Sequence, residues 1–256
     1  MRTTTLLLLL FLSGIVAAQT SVEPTSQKMK NGEVVYQLTY KDEVVGQFLP
    51  IHQVQLVTKT TDPELFEKSI AQLQRDADGT VTTPDGMTQN NSGQYIMQGK
   101  GLSNGKPCGD GIIYDYGIVY SVGKKITFTH KREQPDFERL YQTVQRKKGS
   151  LAFLPVIYRN GKSLSSNNTV DKVLVRRETY NGVQVGVIIF SRMVTYNEAK
   201  DIVLGMNRGG GASSTTHIYI LDGGSTWGQS CKEVNGKMVV LGTRNKDKVT
   251  NYFVFN

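Results

Sequence analysis

Two Asn-Gly pairs limit what this chain can fold into. Asn160-Gly161 divides "LAFLPVIYRNGKSL", and Asn181-Gly182 divides "KVLVRRETYNGVQVGVIIF". Each pair lies between runs rich in Val, Ile and Leu. Asn and Gly reach positive φ at low cost, as a tight two-residue turn requires, so each pair predicts an antiparallel hairpin. A chain assembled from local hairpins needs few crossover helices, and antiparallel pairing should dominate. The stretch "EVVYQLTYKDEVVGQFLPIHQVQLVTKT" adds two or three strands, broken near Lys41-Asp42 and Pro50. "GKMVVLGTRNKDKVTNYFVFN" supplies two more at the far end.

Three segments carry helical rather than strand signals. "DPELFEKSIAQLQRDA" has Asp62 as a cap, Pro63 in the first turn, and Leu65, Ile70 and Leu73 on one side. "PDFERLYQTVQRKKG" spaces Phe137, Leu140 and Val144 helically and stops at Gly149. "TYNEAKDIVLGMN" opens with Thr195 and places Glu198 three residues later, a capping box. Strands in hairpins with about three helices define an α+β class, mostly antiparallel. The 256 residues suit one compact domain.

The N-terminal end reads as a targeting segment. Arg2 is the only charge before Glu23, Leu6 to Leu12 is almost pure leucine, and Val16-Ala17-Ala18 offers small residues before Gln19. This layout predicts a signal peptide over residues 1–18, a flexible polar leader over 19–30, and a domain over 31–256. Export to a secreted, periplasmic or cell-envelope location follows. No other run is apolar enough to span a membrane, so stable membrane insertion is not expected. Loss of the signal lowers the formal charge from +8 to +7. That bias favours phosphates and anionic glycans as well as solubility. No aromatic-rich basic motif of a nucleic-acid module is present. His52, His130 and His217 are isolated, so no metal-ligand cluster is visible and no cofactor is implied. Cys108 and Cys231 each follow a Gly-rich stretch, and an exported chain allows a disulfide between them.

Chemistry concentrates in "ILDGGSTWGQS". The strand-like run His217 to Leu221 ends in Asp222, followed by Gly223, Gly224, Ser225, Thr226 and the single tryptophan, Trp227. Asp-Gly is a common turn pair, and the segment reads equally as a hairpin turn. It also reads as a site. Glycines let backbone N–H groups approach an anion or a sugar, the hydroxyls donate and accept, and the carboxylate can act as acid or base.

The order of hairpin, strand, capped helix, Gly-rich loop and Leu221-Asp222-Gly223-Gly224-Ser225-Thr226 resembles the phosphodiester glycosidase family, whose members include uncovering-enzyme-like N-acetylglucosaminidase domains. The resemblance is clearest over residues 90–256. It has one glycine fewer than the family's late motif. It also lacks the aromatic pair of the early motif, where Gln98 in "MQGKGL" is the nearest match. The resemblance implies an exported hydrolase cleaving a sugar-1-phosphodiester, or a non-catalytic glycan- or sugar-phosphate-binding module on the same fold. Its expected site is Asp222 as the carboxylate, Arg177 or Arg176 on the phosphate, and Glu178 as a second acid. Gly223, Gly224, Ser225, Thr226, Gln98 and Trp227 would bind substrate. A guanidinium suits a phosphodiester because its planar fork matches two phosphate oxygens. On a strand, Glu178 opposes Arg177, so both need not line one site.

Overall fold

The computed structural model describes residues 18–29, 32–52, 54–58, 63–64, 87–89, 100–108, 116–163, 168–206, 214–221, 228–234, 237–243 and 251–255. Strand β1 spans Thr20–Lys28, β2 Val34–Tyr40, β3 Glu43–Ile51, β4 Val54–Thr58 and β5 Met87–Gln89. Next come β6 (Gly101–Ser103), β7 (Lys106–Cys108), β8 (Gly117–Val122), β9 (Lys125–His130), helix α1 (Phe137–Arg146), β10 (Ser150–Leu154), β11 (Val156–Arg159) and β12 (Lys162–Ser163). The remainder is β13 (Thr169–Thr179), β14 (Gly182–Thr195), helix α2 (Tyr196–Gly205), β15 (Ser214–Ile220), β16 (Gly228–Val234), β17 (Lys237–Thr243) and β18 (Asn251–Phe255).

The large sheet has eight strands in the order β1-β2-β3-β14-β13-β15-β11-β12. A five-stranded sheet runs β7-β6-β10-β8-β9, and two smaller ones are β16-β17 and β4-β18-β5. Every pair among the described residues is antiparallel. Hairpin turns make this possible. Asn160 and Gly161 take φ of 44° and 84° between β11 and β12. At the β13–β14 turn, Thr179 pairs with Gly182, so the loop is Tyr180-Asn181 and Gly182 carries the positive φ of 111°. The turn therefore sits one residue earlier than the Asn-Gly pair suggests. Lys41 and Asp42 turn β2 into β3 at φ of 51° and 65°. β3 then runs through Pro50 without a break.

The α+β expectation is corrected: the protein is mostly β. The described α-helices are two, each ten residues long, and neither forms a layer. Each backs the outer face of one sheet. Leu49, Leu174, Val187 and Tyr219 of the large sheet pack against Val119, Phe128, Ala152 and Leu154 of the small one. Val173, Val175, Ile188 and Ile218 face outward onto Ala199, Ile202 and Val203 of α2. Phe137, Tyr141 and Val144 of α1 cover Leu102, Ile118, Leu151 and Phe153. The eight- and five-stranded sheets are thus buried on both faces at their centres, which explains near-continuous apolar runs such as "VGVIIF". The helix expected from Asp62 lies outside the described residues apart from Pro63 and Glu64.

Both described helices start where their caps dictate. Asp136 accepts from the Arg139 N–H, and Thr195 accepts from the Glu198 N–H at 3.2 Å. The Glu198 carboxylate takes a backbone hydrogen bond from Thr195, closing the box, and pairs with Arg192, which holds its pKa below the usual range.

The stretch expected to be a loose leader is instead the edge strand β1. Its polar composition reads as a flexible leader. Yet Val22 and Leu38 pair across β1 and β2, and the buried Thr20 hydroxyl donates to the Ile202 carbonyl of α2 at 2.7 Å. Residues 1–17, most of the expected signal segment, lie outside the described residues. No helix among the described residues is long and apolar enough to cross a membrane.

Close packing makes one glycine essential. A Cβ on Gly186 would sit 2.1 Å from the Phe48 ring and 2.8 Å from the Leu49 carbonyl oxygen. Phe48 is itself fully buried and cannot swing aside. Gly186→Ala is expected to lower the unfolding free energy by about 2–3 kcal/mol, as overpacked cores do. Urea denaturation checks this, and an unchanged midpoint would show that the ring relocates freely.

Candidate functional site

β13 lies between β14 and β15, and its register decides which residues can share a site. Arg177 is opposite Thr215 and Arg176 opposite His217, near the start of β15. Val173 is opposite Ile220 at its end. The next residue, Leu221, donates its N–H to the Lys172 carbonyl at 3.1 Å. At about 3.3 Å per residue, the backbone of Arg177 is some 13 Å along the strand from that of Val173. The chain therefore continues toward Asp222 from the Lys172 end of β13, not from the arginine end. Asp222, Gly223, Gly224, Ser225, Thr226, Trp227 and Gln98 lie outside the described residues.

The two arginines face opposite ways, as strand alternation requires. Arg177 turns toward α2. It is only 7% exposed, and its guanidinium donates to the Met206 carbonyl at 3.1 Å and to Gln184 Oε1 at 3.4 Å. Burial lowers its pKa. Those bonds tie the end of α2 to the sheet. Arg176 faces the small sheet. It donates to Thr216 Oγ1 at 2.8 Å and pairs with Glu178 at 3.3 Å. Glu178 and Arg176 thus form a half-exposed pair on one face.

Arg176 also sits beside a buried histidine. His217 is 4% exposed, with Nδ1 3.0 Å from Thr216 Oγ1 and its ring among those of Phe128 and Tyr219. Burial, then Arg176, Arg159 and His130, lower its pKa to about 4. Tyr219 donates its hydroxyl to the Thr129 carbonyl, and burial pushes its phenol up.

The Lys172 end carries a second polar feature. Gln47 of β3 is opposite Ile189 of β14, and Ile189 is opposite Lys172 of β13. Partners in register share a face, so Gln47 and Lys172 both point between the sheets, at 0% and 1% exposure. The Lys172 ammonium lies 3.2 Å from Asp171 Oδ1. Neighbouring side chains on a regular strand diverge, but a bulge between Val170 and Lys172 re-aims them. Burying an ammonium is costly unless it is paired, and such groups concentrate where chemistry needs charge. The sequence carried a signal for this lysine: in "DKVLV", Lys172 shares the alternation phase of the buried Leu174.

Cys108 is a buried thiol packed in the intersheet core. Cys231, its possible disulfide partner, has its side chain outside the described residues. Lys100, next to the Gln98 segment, pairs with Glu138 of α1 and lies over the Tyr141 ring.

No protein-family model matches this chain. No curated protein matches it either. Among solved structures it is similar to the zebrafish N-acetylglucosamine-1-phosphodiester alpha-N-acetylglucosaminidase (NAGPA) catalytic domain, auto-inhibited by its pro-peptide. The identity is 10% and the TM-score 0.46, over 95% of this chain and 85% of that one.

Proposed function

We propose that this protein is an exported hydrolase that cleaves a sugar-1-phosphodiester. The observation that carries this reading is the buried Lys172, placed where β15 gives way to Leu221 and the Asp222-Gly223-Gly224 sequence. Asp222 supplies the carboxylate that stabilises the oxocarbenium-like centre or activates water. Lys172 supplies the positive charge for the departing phosphate, a role that the family resemblance assigns to Arg177 or Arg176. The amides of Gly223 and Gly224 hold anionic oxygen, and the Ser225 and Thr226 hydroxyls, Gln98 and Trp227 hold the sugar. A phosphate leaving group is already anionic, so a cation replaces much of the protonation that an ordinary glycoside needs.

The direct test is release of free sugar from a panel of sugar-1-phosphodiesters by the chain beginning at Gln19. Turnover of at least one diester is expected. Binding without turnover across the panel would replace the hydrolase with a glycan-binding module, and neither binding nor turnover would remove the reading.

A further inference from the structure

Two hairpin tips meet at the arginine end of β13. The β8–β9 turn is Gly123-Lys124, since Val122 pairs with Lys125, and the β13–β14 turn is Tyr180-Asn181. Lys124, Lys125, Asn181 and Val183 line one cleft, which places both tips at the same end of the fold. Each tip stands clear of its surroundings: a Cβ added to Gly123 or Gly182 would meet nothing within 4 Å.

The tips carry side chains that their turns do not need. Tyr180 is 94% exposed and Val183 56%, the two most exposed large apolar side chains among the described residues. Gly182 supplies the positive φ, so turn geometry asks for no tyrosine beside it. The charge around them is one-sided. Lys124 and Lys125 are exposed, as is Lys28, opposite Val34 at the adjoining β1–β2 turn. None of these three lysines has an ion-pair partner among the described residues. The acids here are engaged, Glu33 with His52 at 2.8 Å and Glu178 with Arg176 at 3.3 Å.

We propose that these tips dock the protein on an anionic lipid surface, where it lies on the membrane without crossing it. The lysines take the headgroup phosphates, and their attraction makes docking salt-sensitive. The Tyr180 ring enters the headgroup boundary with its hydroxyl kept wet, and Val183 follows it from the same hairpin. Charge alone would suit a dissolved polyanion equally well. The exposed tyrosine and valine decide between the two, because only a lipid surface removes them from water. This docking does not rest on the hydrolase reading.

Vesicle sedimentation of the chain beginning at Gln19, which keeps β1 whole, tests it. Vesicles of phosphatidylcholine with about one-third phosphatidylglycerol are compared with phosphatidylcholine alone. The protein is expected to bind the mixed vesicles about tenfold more tightly or better, and to release them as salt rises. K124E/K125E should weaken that binding about tenfold or more, since each lysine contributes near an anionic surface. Y180S/V183S keeps every charge and should weaken it about fivefold or more. Undiminished binding by Y180S/V183S would assign the surface to a dissolved polyanion and overturn the proposal. So would equal binding to both vesicles, no binding, or binding that survives in K124E/K125E. All four positions are exposed, and an unchanged thermal midpoint confirms that each variant is folded.

Discussion

Asp222→Asn is expected to abolish sugar release, with a loss of about 10²–10⁴-fold in kcat, the usual worth of a positioned acid–base group. Asparagine has the same shape but neither ionises nor takes up a proton, so substrate affinity should persist while turnover disappears. The companion substitution is Lys172→Met. It keeps the length and apolar stem of the lysine and deletes the charge. If the ammonium stabilises the departing phosphate, kcat should fall about 10²–10³-fold, the cost of removing one preorganised donor to a developing anion. Lys172→Arg should restore part of the activity by returning the charge.

A purely structural lysine predicts something different. Lys172→Met would leave Asp171 without its 3.2 Å partner and lower stability, but the surviving folded fraction would turn over normally. Kinetics per folded molecule, taken with a denaturant midpoint, separate the two. A comparison substrate with a neutral leaving group sharpens the result, because Lys172→Met should harm it less than the phosphodiester. Equal losses on both would remove Lys172 from the phosphate.

The hairpins were legible because turn chemistry is local. Asn160-Gly161 needs only its own backbone preferences to turn the chain, and the caps Asp136 and Thr195 need only the next three residues. The status of β1 was not legible. Its polar pattern is that of an edge strand facing solvent, and only pairing with β2 and the Thr20 bond to α2 distinguishes it from a loose leader. The weighting of classes failed for a related reason. Counting helices gives no information on whether they form a layer, and here each only covers the back of a sheet. The separation of the arginines from Leu221 was not legible either. Arg176 and Arg177 precede β14, but antiparallel register carries them to the far end of β15 from Leu221, while Lys172 arrives beside it. Register is a long-range property, and alternation alone fixes only which face a residue takes.

His217 should cost the protein up to about 3 kcal/mol of stability between pH 6.5 and pH 4. Its folded-state pKa is about 4, against an ordinary value near 6.5 in the unfolded chain, and each unit of difference is worth about 1.4 kcal/mol. The sign follows from which state binds the proton. Above pH 6.5 the imidazole is neutral in both states and stability is at its full value. As pH falls through 6.5 the unfolded chain takes up a proton that the folded chain refuses, so unfolding gains. The loss levels off once pH drops below the folded value. Burial is the main cause, with the guanidinium of Arg176, then Arg159 and His130, adding repulsion. Carboxylates titrate near the lower end of the same window, so the measurement is a difference. Urea unfolding of the parent chain and of His217→Gln is followed from pH 7 to pH 4, and the parent should lose about 3 kcal/mol more than the variant. Arg176→Met in the parent background should shrink that extra loss by relieving part of the repulsion. Parallel curves for parent and His217→Gln would mean that the histidine is protonated as easily inside the fold as outside it, against its 4% exposure and its seat between Phe128 and Tyr219.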